Sequence, residues 1–415
     1  MVDRAHSSRR RVIVVGGSLA GLIAGNIFHR LGWEVAVFER TASVMEGRGA
    51  GITVLPGLVE GFRAAGVAES SLGAALGVEL PARIALDRAG RIVAERRFSQ
   101  VMTSWRRLYE LLKAAFPEHL YHSGITVERI EQNDDKVTAC LASGERIDAD
   151  LLIGADGLRS TVRTQFLPEL KPHYPGYIAW RCLTDEGALP AATHAALFQR
   201  YTVCVAPGEQ GIGYAVPGQD GSMNRGRRQY NVVWYHSVAE VDLPRLMTDD
   251  TGRHHANGIP PSLISAHIRE DMVRTAQSLL APQFAEAIQR ARLHFFQPIV
   301  DLESPRMVFG RVVIIGDAAF VARPHVAMGV PKGAGDAIAL AQAFQRVGSG
   351  VNTLNALQQF EAQRLHIGEA IVARGKYLGA YMEAQLKPAA ERERAEQLRV
   401  PDQVMMETAM PMEFA

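Results

Sequence analysis

The first strong pattern in the chain is Val12–Val15, a short β-branched run of the kind that fills a strand buried on both faces. A glycine cluster follows, and then Leu19–Leu31 carries apolar residues at helical spacing and stops at Gly32. Trp33–Phe38 predicts the next strand and closes a βαβ unit of about 30 residues. The apolar stretch from Val12 to Phe28, preceded by Arg9-Arg10-Arg11, imitates a secretory leader or a membrane span. Gly16, Gly17, Gly21, Gly25 and Asn26 interrupt it, which fits a buried strand turning into a helix. No other stretch reaches the 18 or so apolar residues of a membrane helix.

Further along, Leu58–Ala65 predicts a helix, Arg83–Asp87 and Ile92–Phe98 a hairpin across Arg88-Ala89-Gly90, and Ser104–Phe116 another helix. Thr126–Ile130, Val137–Leu141 and Arg146–Ile153 predict strands. From His173 to about Val300 the pattern changes. Aromatic residues cluster (Tyr174, Tyr177, Trp180, Tyr201, Tyr214, Tyr230, Trp234, Tyr235), Tyr230–Tyr235 alternates as a strand does, and 262–291 predicts a helix. The buried-strand type returns at Val312–Ile315, followed by a helix over Gly333–Phe344, so the aromatic middle reads as an insertion. Residues 352–386 form one long helical pattern, and a charged extension follows Lys387.

The 415 residues carry Lys+Arg 45 against Asp+Glu 44, a net charge of +1. That balance excludes bulk electrostatic attraction to nucleic acid or an anionic membrane as the basis of function. Hydrophobic residues at 47% and charged residues at 21% match a globular protein with a large core. Cys140, Cys182 and Cys204 are too few and too scattered for a disulfide framework or a zinc site, which predicts a reducing, cytoplasmic setting. His254-His255 has no third ligand at metal spacing and reads as a solvated loop.

Gly16-Gly17-Ser18-Leu19-Ala20-Gly21 lies between a predicted strand and a predicted helix, the setting in which a glycine pattern has a mechanism. The first glycine makes the tight turn, the last permits close helix–strand packing, and a pyrophosphate rests over the helix N-terminal amides. Ser18 occupies the middle glycine position. Glu39 ends the second strand, placed to accept hydrogen bonds from ribose hydroxyls, and Arg40 beside it joins the candidate set. A dinucleotide site alone does not choose between NAD and FAD.

Asp150-Leu-Leu-Ile-Gly-Ala-Asp156-Gly-Leu-Arg-Ser-Thr-Val-Arg163 and Gly316-Asp317-Ala318-Ala319 resemble the paired DG and GD motifs of class A flavin-dependent aromatic hydroxylases, the para-hydroxybenzoate hydroxylase-like family. The resemblance runs from Val12 to about Ala341. It implies an α/β fold: a Rossmann-like FAD-binding domain (1–82, 99–172 and 301–346), an inserted mixed-sheet α+β substrate domain (83–98 and 173–300) and a helical C-terminal segment (347–415). By the same resemblance Asp317 binds the ribityl hydroxyls of FAD, and Asp156 lies near flavin and nicotinamide donor, with a helix N-cap as the plain alternative. Arg48 and Gly49 pass the flavin ring, Gly329 sits in the loop beside it, and an arginine, Arg106 in one register and Arg107 in the other, touches the cofactor.

Two departures stand out: Phe320 replaces a histidine usual after Gly-Asp, and Pro331 replaces an asparagine. Pro324-His325, Lys332, Asp336 and Tyr177-Ile-Ala-Trp180-Arg181 resemble the 2,6-dihydroxypyridine 3-hydroxylase branch. His325 is the candidate catalytic residue, an imidazole to orient or deprotonate a ring hydroxyl near neutral pH, with a loop filler as the alternative. Tyr177, Arg181 and Tyr214 are candidate substrate contacts. The implied reaction is hydroxylation of an electron-rich aromatic or heteroaromatic ring by FAD, NADH or NADPH, and O2, through a flavin C4a-hydroperoxide. A flavin epoxidase or reductase acting on an alkene, or a flavin redox sensor without turnover, are the rivals. The ring compound, the choice of nicotinamide donor and whether the chain pairs as a homodimer stay open.

Overall fold

A computed structural model describes residues 9–42, 51–256, 258–346 and 353–414. The β-branched run forms the strand Arg11–Val15, buried from Val12 onward, as expected of a parallel sheet covered on both faces. It lies between Leu151–Gly154 and Glu34–Glu39, with Val14 opposite both Ile153 and Val37. Tyr121–Ser123 extends the sheet on one side, and Val312–Ile314 with the antiparallel Val308–Phe309 extends it on the other, for six strands. Strands far apart in sequence therefore end side by side. Ligands of open α/β sheets bind at such carboxyl ends. Helices Leu19–Arg30 and Gly329–Arg346 pack on each other over this sheet.

The second sheet has eight strands in the order Leu293–Pro298, Tyr177–Asp185, Gln229–Ser237, Gln210–Val216, Arg200–Cys204, Val78–Leu86, Ile92–Ser104, Gly51–Thr53. Its pairs are antiparallel except Arg200–Cys204 against Val78–Leu86. Tyr177–Asp185 is buried on both faces through Thr184. One face packs on the helix Pro282–Gln289, where Thr184 donates to the Ala287 carbonyl. The other face carries Tyr177, Arg181, Tyr214, Asn231 and Tyr235 toward the first sheet's loops. The architecture is thus a mixed α/β Rossmann-like domain with an inserted sheet-rich domain and a helical end.

Two local expectations need correction. Arg146–Ile153 is two strands in two sheets, Arg146–Ala149 and Leu151–Gly154, and between them Asp150 accepts from the Arg11 amide at 2.7 Å. The helix expected over 262–291 breaks into Ala266–Leu279 and Pro282–Gln289, because proline disfavours a helical residue before it and lacks a donor. Beyond Lys387 the helical C-terminal segment continues as Ala389–Gln397 and Pro401–Glu407, and the second of these helices packs on Val78–Leu86 and Ile92–Ser104.

The long helix Thr353–Ala384 lies against the loops between the two sheets. Glu361 accepts from the Met307 and Val308 amides at 2.7 and 2.9 Å, and Gly368 faces the Phe320 ring. Alanine for glycine favours a helix by about 1 kcal/mol, whereas forcing a methyl into a packed contact costs about 1–3 kcal/mol. A Cβ on Gly368 would lie 2.4 Å from Phe320 Cδ2. Packing therefore decides the sign. Gly368→Ala is expected to lower stability by about 1–2 kcal/mol, seen as a lower urea midpoint at unchanged slope. A raised midpoint would refute this packing.

Candidate functional site

Strand Arg11–Val15 ends at Gly16, whose φ of +102° suits glycine. A Cβ there would lie 2.5 Å from the Ala155 carbonyl oxygen and 2.8 Å from Asp156 Cα. At Gly21 a Cβ would lie 1.8 Å from the Gly16 carbonyl oxygen. The turn exists only without these side chains. Ser18 occupies the N-cap position of Leu19–Arg30, and its hydroxyl caps nothing. The first-turn amides of Leu19, Ala20 and Gly21 are thereby left to a ligand anion. Glu39 is buried, and its two oxygens accept from the Gly17 and Thr41 amides at 2.9 Å each, which holds the carboxylate against the turn. Arg40 is exposed beside it. Arg48 and Gly49 lie outside the described residues.

The other two motifs close on this turn. Asp156 Oδ2 accepts from the Val162 amide at 3.2 Å, Oδ1 is buried with no partner, and burial raises the carboxyl pKa. The N-cap of the helix Thr161–Phe166 is Ser160, which accepts from the Arg163 amide at 2.8 Å. Arg163 donates to the Leu158 carbonyl and, at 3.0 Å, to the Ala318 carbonyl, tying the DG segment to the GD segment. Gly316 donates its amide to Asp336 Oδ2 at 2.9 Å, and Arg364 holds the other oxygen at 2.8 Å. The Ala20 methyl lies 3.2 Å from where a Gly316 Cβ would stand. Three stretches separated by more than a hundred residues thus form one rim.

Asp317, just past the buried strand Val312–Ile314, is not closed in. Its side chain is 51% exposed and receives Lys332 Nζ at 2.9 Å, while the buried lysine also donates to the Phe320 carbonyl. A half-open carboxylate braced by a buried cation is ready for ligand hydroxyls. The cradle therefore suits a dinucleotide: glycines that no Cβ can replace, an uncapped helix end, an orphaned Asp156 oxygen, and Glu39 and Asp317 at its two ends.

The candidate arginines lie on the helix Trp105–Ala115. Arg106 is exposed and bonded to Glu110, and Arg107 donates to the Ala75 carbonyl. Aromatics back the turn. Trp105 stacks on Tyr109 at 5.0 Å, the Tyr109 and Tyr121 hydroxyls meet at 3.1 Å, and Tyr121 donates to the Gly17 carbonyl at 3.0 Å. The Trp105/Tyr109 spacing of four on a helix was the available signal.

On the sheet face beyond this rim, Tyr214 stacks on Tyr201 with centroids 5.5 Å apart, and burial pushes its hydroxyl up to about 12. Asn231, which the sequence reading missed, accepts from the Gly51 amide at 3.2 Å and leaves its Nδ2 buried and unpaired. A polar residue within the otherwise apolar Tyr230–Tyr235 pattern was its trace. Arg181 is buried, its Nε has no hydrogen-bond partner, and no carboxylate among the described residues pairs with it.

His325 is fully buried, stacks on Tyr235 at 4.0 Å and places Nε2 3.1 Å from the Tyr177 hydroxyl, while Nδ1 has no partner. Burial, helped by the neighbouring Arg323, pushes its pKa down to about 3. That corrects the expectation of a base titrating near neutrality: the imidazole is neutral throughout the physiological range. Gly329 opens the helix Gly329–Arg346 just after this loop, and a Cβ there would point into open space. His255 pairs with Asp249 at 2.7 Å, and the described residues hold no cluster of three metal ligands. No helix among them is long and apolar enough to cross a membrane.

The His325 shift has a thermodynamic consequence. An unfolded histidine takes up a proton near pH 6.5, whereas the folded one does so near 3. Between these values the unfolded state binds more protons, so stability falls as pH is lowered through that window. His325→Asn is expected to flatten this fall, measured as urea midpoints of both proteins from pH 7 to 4. Parallel curves would contradict the buried neutral imidazole.

A family model described as FAD binding domain matches residues 9–177 and 267–375, and one described as FAD binding domain-like matches 174–301. The 2,6-dihydroxypyridine 3-monooxygenase of Paenarthrobacter nicotinovorans is 30% identical over 90% of this chain and 91% of its own. The 6-hydroxynicotinate 3-monooxygenase of Bordetella bronchiseptica is 25% identical over 81% and 83%. The solved 2,6-dihydroxypyridine-3-hydroxylase from Arthrobacter nicotinovorans superposes with a TM-score of 0.84 at 29% identity, covering 91% of this chain and 93% of that one. Matched along most of its length both by that family and by relatives of nearly its own size, the chain belongs to the FAD binding domain family and is a flavin-dependent aromatic monooxygenase.

Proposed function

We propose that the chain hydroxylates a heteroaromatic ring bearing ionisable oxygen substituents, a hydroxypyridine in kind, in a reducing cytoplasmic setting. One observation carries this reading. Arg181 Nε, Asn231 Nδ2 and His325 Nδ1 are buried without partners around the same aromatic-lined face. Burying a charge or a polar group unpaired costs free energy, which a ligand that completes all three recovers. An oxygen-rich ring supplies acceptors for such groups. An alkene offers none, which weighs against epoxidation, and a sensor would leave them without purpose. The pyridine-acting relatives agree with this reading. The cysteines among the described residues are unpaired, in keeping with the setting.

Bound FAD supplies the chemistry, accepting a hydride from NADH or NADPH and activating O2, one atom of which enters the ring while the other leaves as water. The glycine turn, Glu39, Asp156 and Asp317 are the residues to hold it. Tyr177 stays protonated because burial raises its pKa. With its hydroxyl donating to His325 Nε2, the imidazole proton sits on Nδ1 and donates to a ring oxygen. Arg181 places a cation beside that oxygen, favouring the ring anion and so the electron density that oxygen transfer needs. The aromatic walls keep water out.

The function is tested by supplying 2,6-dihydroxypyridine, 6-hydroxynicotinate and 3-hydroxybenzoate with NADH or NADPH. A hydroxypyridine is expected to stimulate oxidation of the nicotinamide and to gain one oxygen in mass. Stimulation by none of the three would remove the reading.

Arg181→Met should raise KM about 10- to 100-fold, the scale of one hydrogen bond to a charged group, with FAD content unchanged. An unaltered KM would show that the guanidinium faces no substrate oxygen. His325→Ala should cut product per NAD(P)H about tenfold or more, again the loss of one charge-assisted bond, while flavin reduction continues. Full coupling in this variant would return His325 to a packing role.

A further inference from the structure

Arg83, on the strand Val78–Leu86, is fully buried and has no carboxylate partner among the described residues. Its guanidinium lies between the rings of Phe98 and Tyr201, at 4.5 and 4.6 Å, and reaches the Gln100 side-chain oxygen from two nitrogens. Its remaining donors go to main chain far away in sequence: Met405 O at 2.9 Å, Thr408 O at 2.7 Å and Ala409 O at 3.3 Å. These carbonyls end the helix Pro401–Glu407, where helical partners run out and a cation is favoured.

What the arginine grips also touches the pocket. Ala409, at a φ of +54° that alanine seldom adopts, donates its amide to the His325 carbonyl at 2.9 Å. Beyond it Met412 and Phe414 pack on a cluster containing Val326 and Met328. On its other side Arg83 lies on Tyr201, which stacks on the pocket residue Tyr214.

We propose that Arg83 is a positioning residue for catalysis: by holding the carbonyls of 405–409 it seats residues 401–414 against 325–328 and so fixes His325 and the pocket wall. The role needs the planar fork, because one lysine ammonium cannot serve Gln100 and three carbonyls at once. The proposal rests on the pocket assigned under the proposed function.

The test is made on the FAD-loaded protein with Arg83→Met and Arg83→Lys, by hydrogen exchange of peptides covering 401–414 and 322–328 and by product formed per NAD(P)H. In Arg83→Met, exchange in both peptides should rise at least tenfold and coupling should fall at least fivefold at wild-type FAD content, with Arg83→Lys between. A merely structural clasp would loosen 401–414 alone; wild-type exchange at 322–328 with wild-type coupling overturns the proposal. Should Arg83→Met not fold, the double variant Met412→Asp/Phe414→Asp unseats the same segment from its outer end. Unchanged exchange at 322–328 and unchanged coupling there overturn it equally. If no ring stimulates the wild-type enzyme, the substrate reading fails, while the exchange of 322–328 still decides the link.

Discussion

The contact between Gly16 and the chain at Ala155-Asp156 is the constraint on which the cofactor site is built. Two parallel strands, Arg11–Val15 and Leu151–Gly154, end in register, and the Ala155 amide donates to the Val15 carbonyl at 2.8 Å. The Gly16 amide meanwhile donates to the Phe38 carbonyl at 2.8 Å, fixing the turn to the third strand end. With no side chain in the gap, the DG segment stands against the glycine turn. Arg163 then draws in Ala318, and Asp336 draws in the Gly316 amide. Asp156 and Asp317 reach one rim because backbone contacts put them there.

Three buried arginines meet the cost of leaving water in three ways. Arg323 is paired with Asp301 and Glu383, at 2.8 and 2.7 Å. Arg83 is satisfied by carbonyls, an amide and two rings. Arg181 has neither. Burial of an unpaired ion costs several kcal/mol, and a fold that supplies carboxylates to one such group and carbonyls to another has the means to supply a third. That contrast is why Arg181 speaks for a ligand, and why its charge points to an anionic oxygen.

Much of the cofactor site was legible because its signals are local. The β-branched run, the glycines and the acid at the next strand end lie within 30 residues, and each has a single geometric purpose. The pocket was less legible. Arg181 was named as a candidate, but Asn231 was not, because only the pairing of neighbouring strands brings the two to one face, which no single segment records. His325 was visible as a residue but not in its state, since its low pKa comes from burial by Tyr177 and Tyr235 and from Arg323 next to it but one. Asp317 was visible as a residue but not in its exposure: the strand before it is buried, yet its side chain leaves the sheet and opens outward. The single strand expected over 146–153 failed because Asp150 carries the chain from one sheet to another, a change that alternation does not encode.

The most direct test of the account is a crystal structure of the protein with FAD and a bound dihydroxypyridine. The account predicts ring oxygens within about 3.2 Å of Arg181 Nε, Asn231 Nδ2 or His325 Nδ1, with the flavin over the turn at Gly16–Gly21. A ring bound elsewhere, with these three nitrogens still unpartnered, would contradict it.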